Sequence, residues 1–583
     1  MTIIIKGVPV LLYFSEPKFR LKTLLPQVTR LPTFVSQKLK AMKTKNKTQI
    51  LMIALLLLTA SLFSQPVEQW VARYDSGGTD QLYAMTVDAS GNVYATGASV
   101  QLPFTADYLT VKYNGAGVKQ WEKAYNGIAG SDDRAYAIAV DALGNVYVTG
   151  GTAYDNSIVT IKYSSLGDSL WTRTYTGPTS GHNWTFAKSI FVDDSGYVYI
   201  AGTSEGLIAV HGLRQDYTTI KYSPLGVQQW VSRYNGPGTD ADVINSMTVD
   251  LAGNVYVTGF AGGGSTGSGD SYNNITTIKY NPLGDTLWTK TFAGTGISSD
   301  VANMLALDNL GNVYITGTTY VDTSVDENII TIKYAADGTE LWKKFFKGPG
   351  NNTDEGIALV VDSFHNIFVT GKSVYSVTDG FDIVTIKYDS MGTQLWDKNF
   401  NGSANMHDLA ESITLDNAGN VYVFGTSVNT TTAEDFQLIK YNTEGTQQWE
   451  KTYTYLNAAG SQEYAMALFV DDLNNIYVAG MSALDYTIVK YGQPTTIQES
   501  KEDLVDVVLY PNPVSNFLFI ETETLLLQQM NIYNTAGILV NKTREHFIDV
   551  SSLAAGFYLA EIKLTDEKTG MKDLCLKKKF VKM

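Results

Sequence analysis

A short unit that recurs along most of the chain limits the possible folds more than any other feature. Residues 135–150 read as a strand, a tight Gly144-Asn145 turn and a second strand rich in β-branched and aromatic residues, the pattern of a β-hairpin. The acidic residue before the turn, Asp141, has counterparts at Asp88, Asp193, Asp250, Asp308, Asp362, Asp416 and Asp471. Eight copies with a period of roughly 50 residues indicate a propeller, a solenoid or another repeat array.

Each unit contains a second hairpin, in which a Lys-Tyr pair is followed by a turn and then by a tryptophan. In seven units the tryptophan lies eight residues after the tyrosine, as Trp171 follows Tyr163. Two hairpins per unit give four antiparallel strands, here named a, b, c and d, which together form one propeller blade. We expect the tryptophans to pack between blades, where burial of each side chain contributes about 2–3 kcal/mol.

The order of the strands predicts how the ring closes. The repeats begin with a d strand at residues 70–74 and end with a c strand at residues 486–491. The first strand can therefore complete the last blade, which leaves no open sheet edge. We predict an all-β fold with an eight-bladed propeller over residues 66–491. The alternative is a seven-bladed ring with one irregular unit.

The N-terminal region has the pattern of a secretory signal peptide. Three lysines between residues 43 and 47 precede an apolar run at residues 50–58, which is too short for a membrane span. We predict a signal peptide at residues 42–65 and an upstream extension, residues 1–41, that is absent from the mature protein. The alternative is that residues 1–41 are a genuine basic presequence. We expect no transmembrane segment in the mature chain.

Charge and composition narrow the possible partners and cofactors. The net charge is −15 although residues 1–65 contain ten Lys or Arg and one acid, so the remainder of the chain is strongly acidic. This argues against nucleic acid as a partner. The single cysteine, Cys575, excludes a disulfide framework, and the five histidines are scattered without ligand spacing. We therefore expect no cofactor, with Ca²⁺ as the one ion to consider.

One face of the propeller is predicted to meet the ligand. The a–b and c–d turns share a face and have constant lengths, whereas the b–c and d–a loops share the other face and vary, and variable loops on a rigid scaffold commonly bind ligands. Acids that precede strand a could form a Ca²⁺-binding ring: Asp133, Asp242, Asp300, Asp354 and Asp408. The alternative, favoured because these residues belong to the repeat, is that each acid ties down its own loop. Aromatic residues in these loops are candidates for stacking on sugar rings: Tyr154, Trp184, Tyr272, Tyr320 and Tyr375.

The repeat also resembles known propeller families. The pattern of residues 133–150 is similar to the SBBP family of β-propeller repeats, found in bacterial secreted and surface proteins, and the resemblance extends over nearly all of residues 70–491. It implies a propeller and leaves the activity open, and its name refers to seven blades. The four-residue step from Gly392 to Trp396 also resembles the tryptophan-docking turn of quinoprotein propellers. Those enzymes have a vicinal cysteine pair at the cofactor site, and this propeller sequence contains no cysteine.

The C-terminal region forms a separate predicted unit. After a polar linker at residues 492–506, residues 507–583 alternate like the strands of a small β-sandwich. Several motifs in order resemble the C-terminal sorting domain of the type IX (Por) secretion system of Bacteroidetes. They are carried by Pro511, Asn512, Pro513, Gly537, Gly556, Tyr558, Lys579 and Phe580. The resemblance implies export across both membranes and interaction with the secretion machinery.

These patterns together predict a non-catalytic binding or adhesion protein, secreted or held at the outer surface of a Gram-negative bacterium, with a glycan or a protein as ligand. The rival is a secreted propeller hydrolase or lyase that acts on polysaccharide. Spacing reveals no cluster of catalytic acids, since the acids recur with the blade period. A third possibility is a scaffold whose repeats serve only assembly.

Overall fold

The computed structural model describes two compact units, Met1–Gln493 and Pro494–Met583. In the first unit, residues 2–5, 8–11 and 65–493 are described, apart from residues 102–104, 128–130, 154–155, 179–184, 209–211, 239–240, 266–270, 296–298, 321–326, 351–352, 376–379, 431–433 and 456–461. In the second unit, residues 507–582 are described apart from residues 511–513, 523–525, 535–538 and 566–573. The predicted signal peptide and linker lie almost entirely outside these ranges. The predicted upstream extension does too, except that Thr2–Ile5 pairs with Val8–Leu11.

The all-β prediction is confirmed: the described residues form strands and turns, and repeated four-stranded antiparallel sheets build a propeller. Blades 1 to 4 comprise Thr79–Val87, Val93–Gln101, Thr105–Tyr113, Lys119–Tyr125; Asp133–Val140, Val146–Thr152, Ser157–Tyr163, Ser169–Tyr175; Phe186–Val192, Val198–Ile208, Gly212–Tyr222, Gln228–Tyr234; and Val243–Val249, Val255–Ser265, Ser271–Tyr280, Thr286–Phe292. Blades 5 to 8 comprise Val301–Leu307, Val313–Tyr320, Glu327–Tyr334, Glu340–Phe346; Glu355–Val361, Ile367–Ser373, Asp382–Tyr388, Gln394–Phe400; Asp408–Leu415, Val421–Val428, Glu434–Tyr441, Gln447–Tyr453; and Glu463–Val470, Ile476–Ser482, Asp485–Gly492, Val67–Tyr74.

The a–b turn is built by one aspartate and one glycine. Asp141 Oδ1 accepts hydrogen bonds from the backbone N–H groups of Leu143 and Asn145, at 3.0 and 2.9 Å. Its Oδ2 accepts from Asn145 Nδ2 at 2.8 Å and from the Tyr147 hydroxyl at 2.9 Å. Gly144 has a φ of 76°, a left-handed conformation that glycine adopts at low cost. The repeated Asp and Gly are therefore structural parts of the turn.

The tryptophans join neighbouring blades. Trp171 of blade 2 lies between Tyr147 and Tyr222, and the centroid of each tyrosine ring is 6.2 Å from that of the tryptophan ring. Its indole Nε1 donates a hydrogen bond of 3.1 Å to the carbonyl of Pro224, in the c–d turn of blade 3. A Cβ atom on Gly226 of that turn would lie 2.9 Å from Trp171 Cδ2, so the ring packs directly on the glycine. The predicted interblade role of these side chains is confirmed at this position.

Strand a is the inner strand of each blade. Strand a of every blade contacts strand a of the next, and strand a of blade 8 contacts that of blade 1. The outer strand of blade 8 is Val67–Tyr74, which pairs antiparallel with Asp485–Gly492. Because the inner strands follow one another in a cycle, they surround the centre of the propeller.

The second unit is a small β-sandwich. Its strands are β1 (Val507–Tyr510), β2 (Phe517–Thr522), β3 (Leu526–Tyr533), β4 (Leu539–Thr543), β5 (Phe547–Asp549), β6 (Gly556–Thr565) and β7 (Leu574–Lys582). One sheet has the order β1-β2-β5 and the other the order β4-β3-β6-β7. Apolar side chains of both sheets, including Leu518, Ile548, Met530 and Ile562, share one buried core.

Candidate functional site

Every strand a contains a β-bulge at the same position. In blade 2, Ala135 pairs with Gly150 and Ala137 with Thr149, so Tyr136 between them has no partner on strand b. A bulge adds one residue to a strand and re-aims its side chain, and bulges are frequent at functional sites. The eight bulge residues, here called the inner belt, are Tyr83, Tyr136, Lys188, Asn245, Asn303, Ile357, Glu411 and Met466.

The inner-belt side chains reach solvent although they belong to the innermost strands. Each is at least partly exposed, and Lys188 and Glu411 fall in the exposed class. The residue immediately before each bulge is buried, as Ala135, Ala187 and Ala410 show with 0–2% exposure. The belt therefore faces a solvent-accessible passage at the centre of the propeller. It lies two to four residues after the first residue of strand a, near the end formed by the d–a loops.

An aromatic row occupies the passage in blades 1 to 3. The ring centroids of Tyr83 and Tyr136 lie 5.1 Å apart, and those of Tyr136 and Phe186 lie 5.8 Å apart. Arg134 stands beside this row and donates hydrogen bonds to Gln81 Oε1 at 2.6 Å and to the Tyr83 hydroxyl at 2.8 Å. The row offers ring faces and polar groups from three successive blades.

Amides and a lysine continue the belt. Lys188 Nζ donates a hydrogen bond of 2.8 Å to Asn245 Oδ1. Asn245 Nδ2 in turn donates to the carbonyl of Ala302 at 2.9 Å, and Asn303 Nδ2 donates to the carbonyl of Gly356 at 2.8 Å. Each of these bonds crosses from one blade to the next, so the polar belt residues hold one another in defined positions.

A cluster of ionisable groups lies in blades 6 and 7. Lys372 Nζ lies 2.7 Å from Glu355 Oε2. Burial raises the pKa of Glu411 to about 7, and the negative charge of Glu355 adds to this rise while Lys372 opposes it. Solvent reaches Glu411 through the passage, but the surrounding protein still disfavours its ionised form. Glu411 is therefore a carboxyl group that can exchange its proton near neutral pH.

The acids predicted to form a Ca²⁺ ring accept hydrogen bonds from their own loops. Asp133, Asp242 and their counterparts are 0–2% exposed. One oxygen of each accepts the backbone N–H of the loop glycine six residues earlier, at 2.6–2.7 Å, in Asp133, Asp242, Asp300, Asp354 and Asp408. Burial raises the pKa of Asp300, Asp354 and Asp408, although their hydrogen bonds oppose the rise. Each acid thus fastens the d–a loop that leads into its own strand a.

The described residues place three carboxylates together at the junction of blades 8 and 1. Oxygens of Asp75, Asp80 and Asp485 lie within 4.8 Å of one another. Arg73 Nη2 lies 2.9 Å from Asp485 Oδ2, and the backbone N–H of Ser76 donates to Asp80 Oδ2 at 2.7 Å. The protein itself therefore supplies the cluster with one cation, Arg73, and with a backbone N–H donor.

The predicted loop aromatics are dispersed over separate blades. Tyr154 and Trp184 lie outside the described residues. The Tyr320 hydroxyl donates to Glu327 Oε1 at 2.7 Å, and the Tyr375 hydroxyl donates to Asp397 Oδ2 at 3.4 Å. Tyr272 is half-buried, and its ring packs beside Gly263. Each described tyrosine makes its contact within its own blade, so these three do not form one aromatic surface through those contacts.

In the described part of the sorting motif, Phe580 lies in the core of the second unit and Tyr558 packs against that core. The rings of Tyr558 and Phe580 stack at 5.6 Å with an angle of 21° between their planes, and Phe580 is 1% exposed. The Tyr558 hydroxyl donates to the carbonyl of Ala554 at 2.9 Å. Gly556 begins β6, and Lys579 pairs with Leu559 across β6 and β7. Pro511, Asn512, Pro513 and Gly537 lie outside the described residues.

Sequence reasoning overlooked the inner belt. A usable pattern existed, because the belt residue always lies five positions before the turn aspartate, as Tyr136 precedes Asp141. Across the eight units this position holds tyrosine, lysine, asparagine, isoleucine, glutamate or methionine, whereas the turn aspartate is invariant among the repeats. A position that varies within an otherwise constant repeat indicates a role other than building the fold, and this pattern was visible in the sequence.

Comparison with known proteins identifies the modules of the chain. Residues 508–577 match the secretion system C-terminal sorting domain, and residues 229–263 match the SBBP β-propeller repeat. Residues 273–483 match a family described as outer membrane protein assembly factor BamB. An uncharacterized WD repeat-containing protein of Acanthamoeba polyphaga mimivirus is 26% identical over 332 residues, which are 48% of this chain and 22% of that protein.

Solved structures with similar folds share little sequence with this chain. The extracellular domains of Drosophila semaphorin 1b have a TM-score of 0.37 at 9% identity, covering 74% of this chain and 88% of that chain. An ulvan lyase of a polysaccharide lyase family has a TM-score of 0.35 at 12% identity, covering 67% and 95%. These scores carry no functional argument. The chain thus combines a β-propeller, in which residues 229–263 match the SBBP repeat, with a C-terminal segment that matches the secretion system sorting domain.

Proposed function

We propose that this protein is a non-catalytic binding module, exported by the type IX route to the cell surface or the medium, which takes its ligand into the central passage at the inner belt. The sorting domain supports the export step. None of the described segments forms an apolar helix of membrane-spanning length. The proposal keeps the d–a and b–c loop face as the entrance and moves the ligand contacts inward.

The observation that carries this proposal is the variability of the belt within a constant repeat. Positions that build the fold repeat around the ring, as the turn aspartate does. The belt residues differ between blades, reach solvent and are held by cross-blade hydrogen bonds such as the 2.8 Å bond from Lys188 to Asn245. Ligand sites commonly combine aromatic side chains with a few well-placed polar groups in a concave setting.

A glycan fits this setting better than a folded protein. The belt lies on inner strands, so a narrow chain can reach it more easily than a protein surface can. The faces of Tyr83, Tyr136 and Phe186 suit the C–H faces of sugar rings, and the amides of Asn245 and Asn303 can hydrogen-bond to hydroxyl groups. A protein ligand would instead be expected to engage the outer loops.

The test is binding of the purified mature protein to a panel of polysaccharides, measured by calorimetry with Ca²⁺ and again with a chelator. Tyr136→Ala should weaken binding at least tenfold, whereas Tyr272→Ala, at the start of strand c in blade 4, should leave it unchanged. The reverse ranking would place the ligand on the loops and contradict the belt proposal. Loss of binding on chelation would show that the acids contribute through a bound cation.

A polysaccharide hydrolase or lyase is the second candidate, and one observation favours it. Glu355 and Glu411 lie close enough for the charge of one to raise the pKa of the other, and Glu411 has a pKa of about 7. A protonated carboxyl beside an ionised one is the usual equipment for general acid catalysis. Release of new sugar ends by the native protein, abolished in Glu411→Gln, would establish this activity. Binding without product release would leave the non-catalytic function in place.

A further inference from the structure

We propose, on the basis of the proposed function, that the ligand is an acidic saccharide whose anionic group binds Lys188 while its sugar ring packs on the aromatic row of blades 1 to 3. A carboxylate and a sulfate share the required chemistry. The inference names the class of glycan and the residue that selects it.

Lys188 is a cation in the passage without an acidic partner among the described residues. Its ammonium donates one hydrogen bond, to Asn245 Oδ1 at 2.8 Å, and lies 5.9 Å from the centre of the Phe186 ring. An ammonium group has three N–H donors. Solvent reaches Lys188, but the surrounding protein disfavours its charged form and lowers its pKa, and no nearby carboxylate offsets this effect. An anion bound here would favour the charged form.

Other cations of the blades have partners in the protein. Lys372 forms an ion pair of 2.7 Å with Glu355, and Arg134 lies 3.4 Å from Asp132. The lysine of the Lys-Tyr pair is part of the repeat: Lys162 Nζ lies 4.9 Å from the centre of the Tyr147 ring and donates to the carbonyl of Pro224 at 3.5 Å. Lys188 differs from Lys372 and Arg134 because no carboxylate pairs with it, and it differs from Lys162 because its side chain is exposed whereas that of Lys162 is buried.

The aromatic row supplies a platform next to this cation. Phe186 lies two residues before Lys188 on strand a of blade 3, and the rings of Tyr136 and Tyr83 continue the row toward blade 1 at 5.8 and 5.1 Å. A sugar ring placed on Phe186 or Tyr136 would bring a carboxylate at its edge toward the Lys188 ammonium. Neutral sugars could use the same platform but would gain nothing from the charge.

Two acids, one in the belt and one beside it, lie in other blades and restrict the orientation of the ligand. Glu355 and Glu411 belong to blades 6 and 7, and their ionised forms would repel an anion on that side. The rest of the protein is also acidic, so the favourable interaction is confined to the neighbourhood of Lys188. Measurements near 0.15 M salt, where the screening length is about 8 Å, reduce the long-range repulsion more than the short-range contact.

The experiment compares polygalacturonate with its fully methyl-esterified form, and dextran sulfate with dextran, by calorimetry on the mature protein. The variants are Lys188→Met, which keeps an apolar stem, Lys188→Arg, which keeps the charge, and Lys119→Met on the outer strand of blade 1 as control. Melting temperatures establish that all variants fold.

We expect native protein to bind at least one anionic polysaccharide at least tenfold more tightly than its neutral counterpart. Lys188→Met should lose that preference, and Lys188→Arg and Lys119→Met should keep it. The pair that shows the preference distinguishes a carboxylate from a sulfate. Equal binding of charged and neutral forms, or an unchanged preference in Lys188→Met, would overturn the inference. If neutral glycans still bind and Tyr136→Ala abolishes that binding, the proposed function survives without it.

Discussion

Packing of each interblade tryptophan on the glycine of the next blade can be tested with two glycine substitutions that share a backbone conformation. Gly226 and Gly144 both have a φ of 76°. A Cβ atom at Gly226 would lie 2.9 Å from Trp171 Cδ2 and 3.0 Å from Arg173 Nε, whereas at Gly144 the nearest atom would be Ser165 Cβ at 3.4 Å. An added Cβ atom would therefore meet closer neighbours at Gly226 than at Gly144, whereas the backbone strain would be the same at both sites.

The expected magnitudes follow from these distances. Alanine in the left-handed region costs about 1–2 kcal/mol at either site. Overpacking adds about 1–3 kcal/mol where a neighbour must move, and Trp171 has little room because it is 9% exposed. Gly144→Ala should therefore lower the free energy of unfolding by about 1–2 kcal/mol, and Gly226→Ala by about 2–5 kcal/mol.

The assay is urea denaturation followed by tryptophan fluorescence on both variants and the native protein. The gain in unfolded-state rigidity from Gly→Ala is common to both variants and cancels in the difference. Equal destabilisation of Gly226→Ala and Gly144→Ala would refute the reasoning, because it would mean that the contact between Trp171 and the next blade does not limit stability.

Three further predictions concern a turn, the passage and the sorting domain. Asp141→Ala should lower the free energy of unfolding by about 1–3 kcal/mol in urea denaturation because the Tyr147 hydroxyl loses its acceptor. Burial alone would raise the pKa of Asp141, but its hydrogen bonds outweigh burial and lower it, so this stabilisation should be present above about pH 4 and disappear as the pH falls through the lowered pKa. Burial and the charge of Glu355 raise the pKa of Glu411 to about 7, so Glu411 binds its proton more tightly in the folded protein than in the unfolded chain. The free energy of unfolding of the native protein should therefore fall between about pH 4.5 and 7, and it should fall less in Glu411→Gln. Denaturation curves at both pH values measure this, and an equal fall in the two proteins would contradict it. Phe580→Ala should destabilise the sorting domain by about 3–5 kcal/mol and reduce the protein in the medium on immunoblots, and normal secretion would contradict this.

The turns and blades could be predicted because tight turns fix sequence spacing. An aspartate four residues before the asparagine of the turn, as Asp141 precedes Asn145, makes its hydrogen bonds locally, so the sequence alone contains the whole device. Local chemistry of this kind leaves a periodic pattern.

The inner belt could not be located in the same way. Period-two alternation separates Tyr136 from Ala135 and Ala137, but it does not say whether the tyrosine faces a neighbouring blade or open solvent. That depends on the bulge and on the closure of the ring, which are properties of the assembled sheets. The role of the acids that precede strand a could not be decided from the sequence either. An aspartate is equally suited to hydrogen-bond to its own loop and to coordinate a cation in a ring.

A crystal structure of the protein with a short oligogalacturonate, the probe that combines sugar rings with carboxylates, tests most directly whether the central passage binds an acidic glycan. We expect a sugar ring against Tyr136 or Phe186 and a carboxylate within hydrogen-bond distance of Lys188 Nζ. An oligosaccharide bound only at the outer loops, with the passage containing solvent alone, would contradict it.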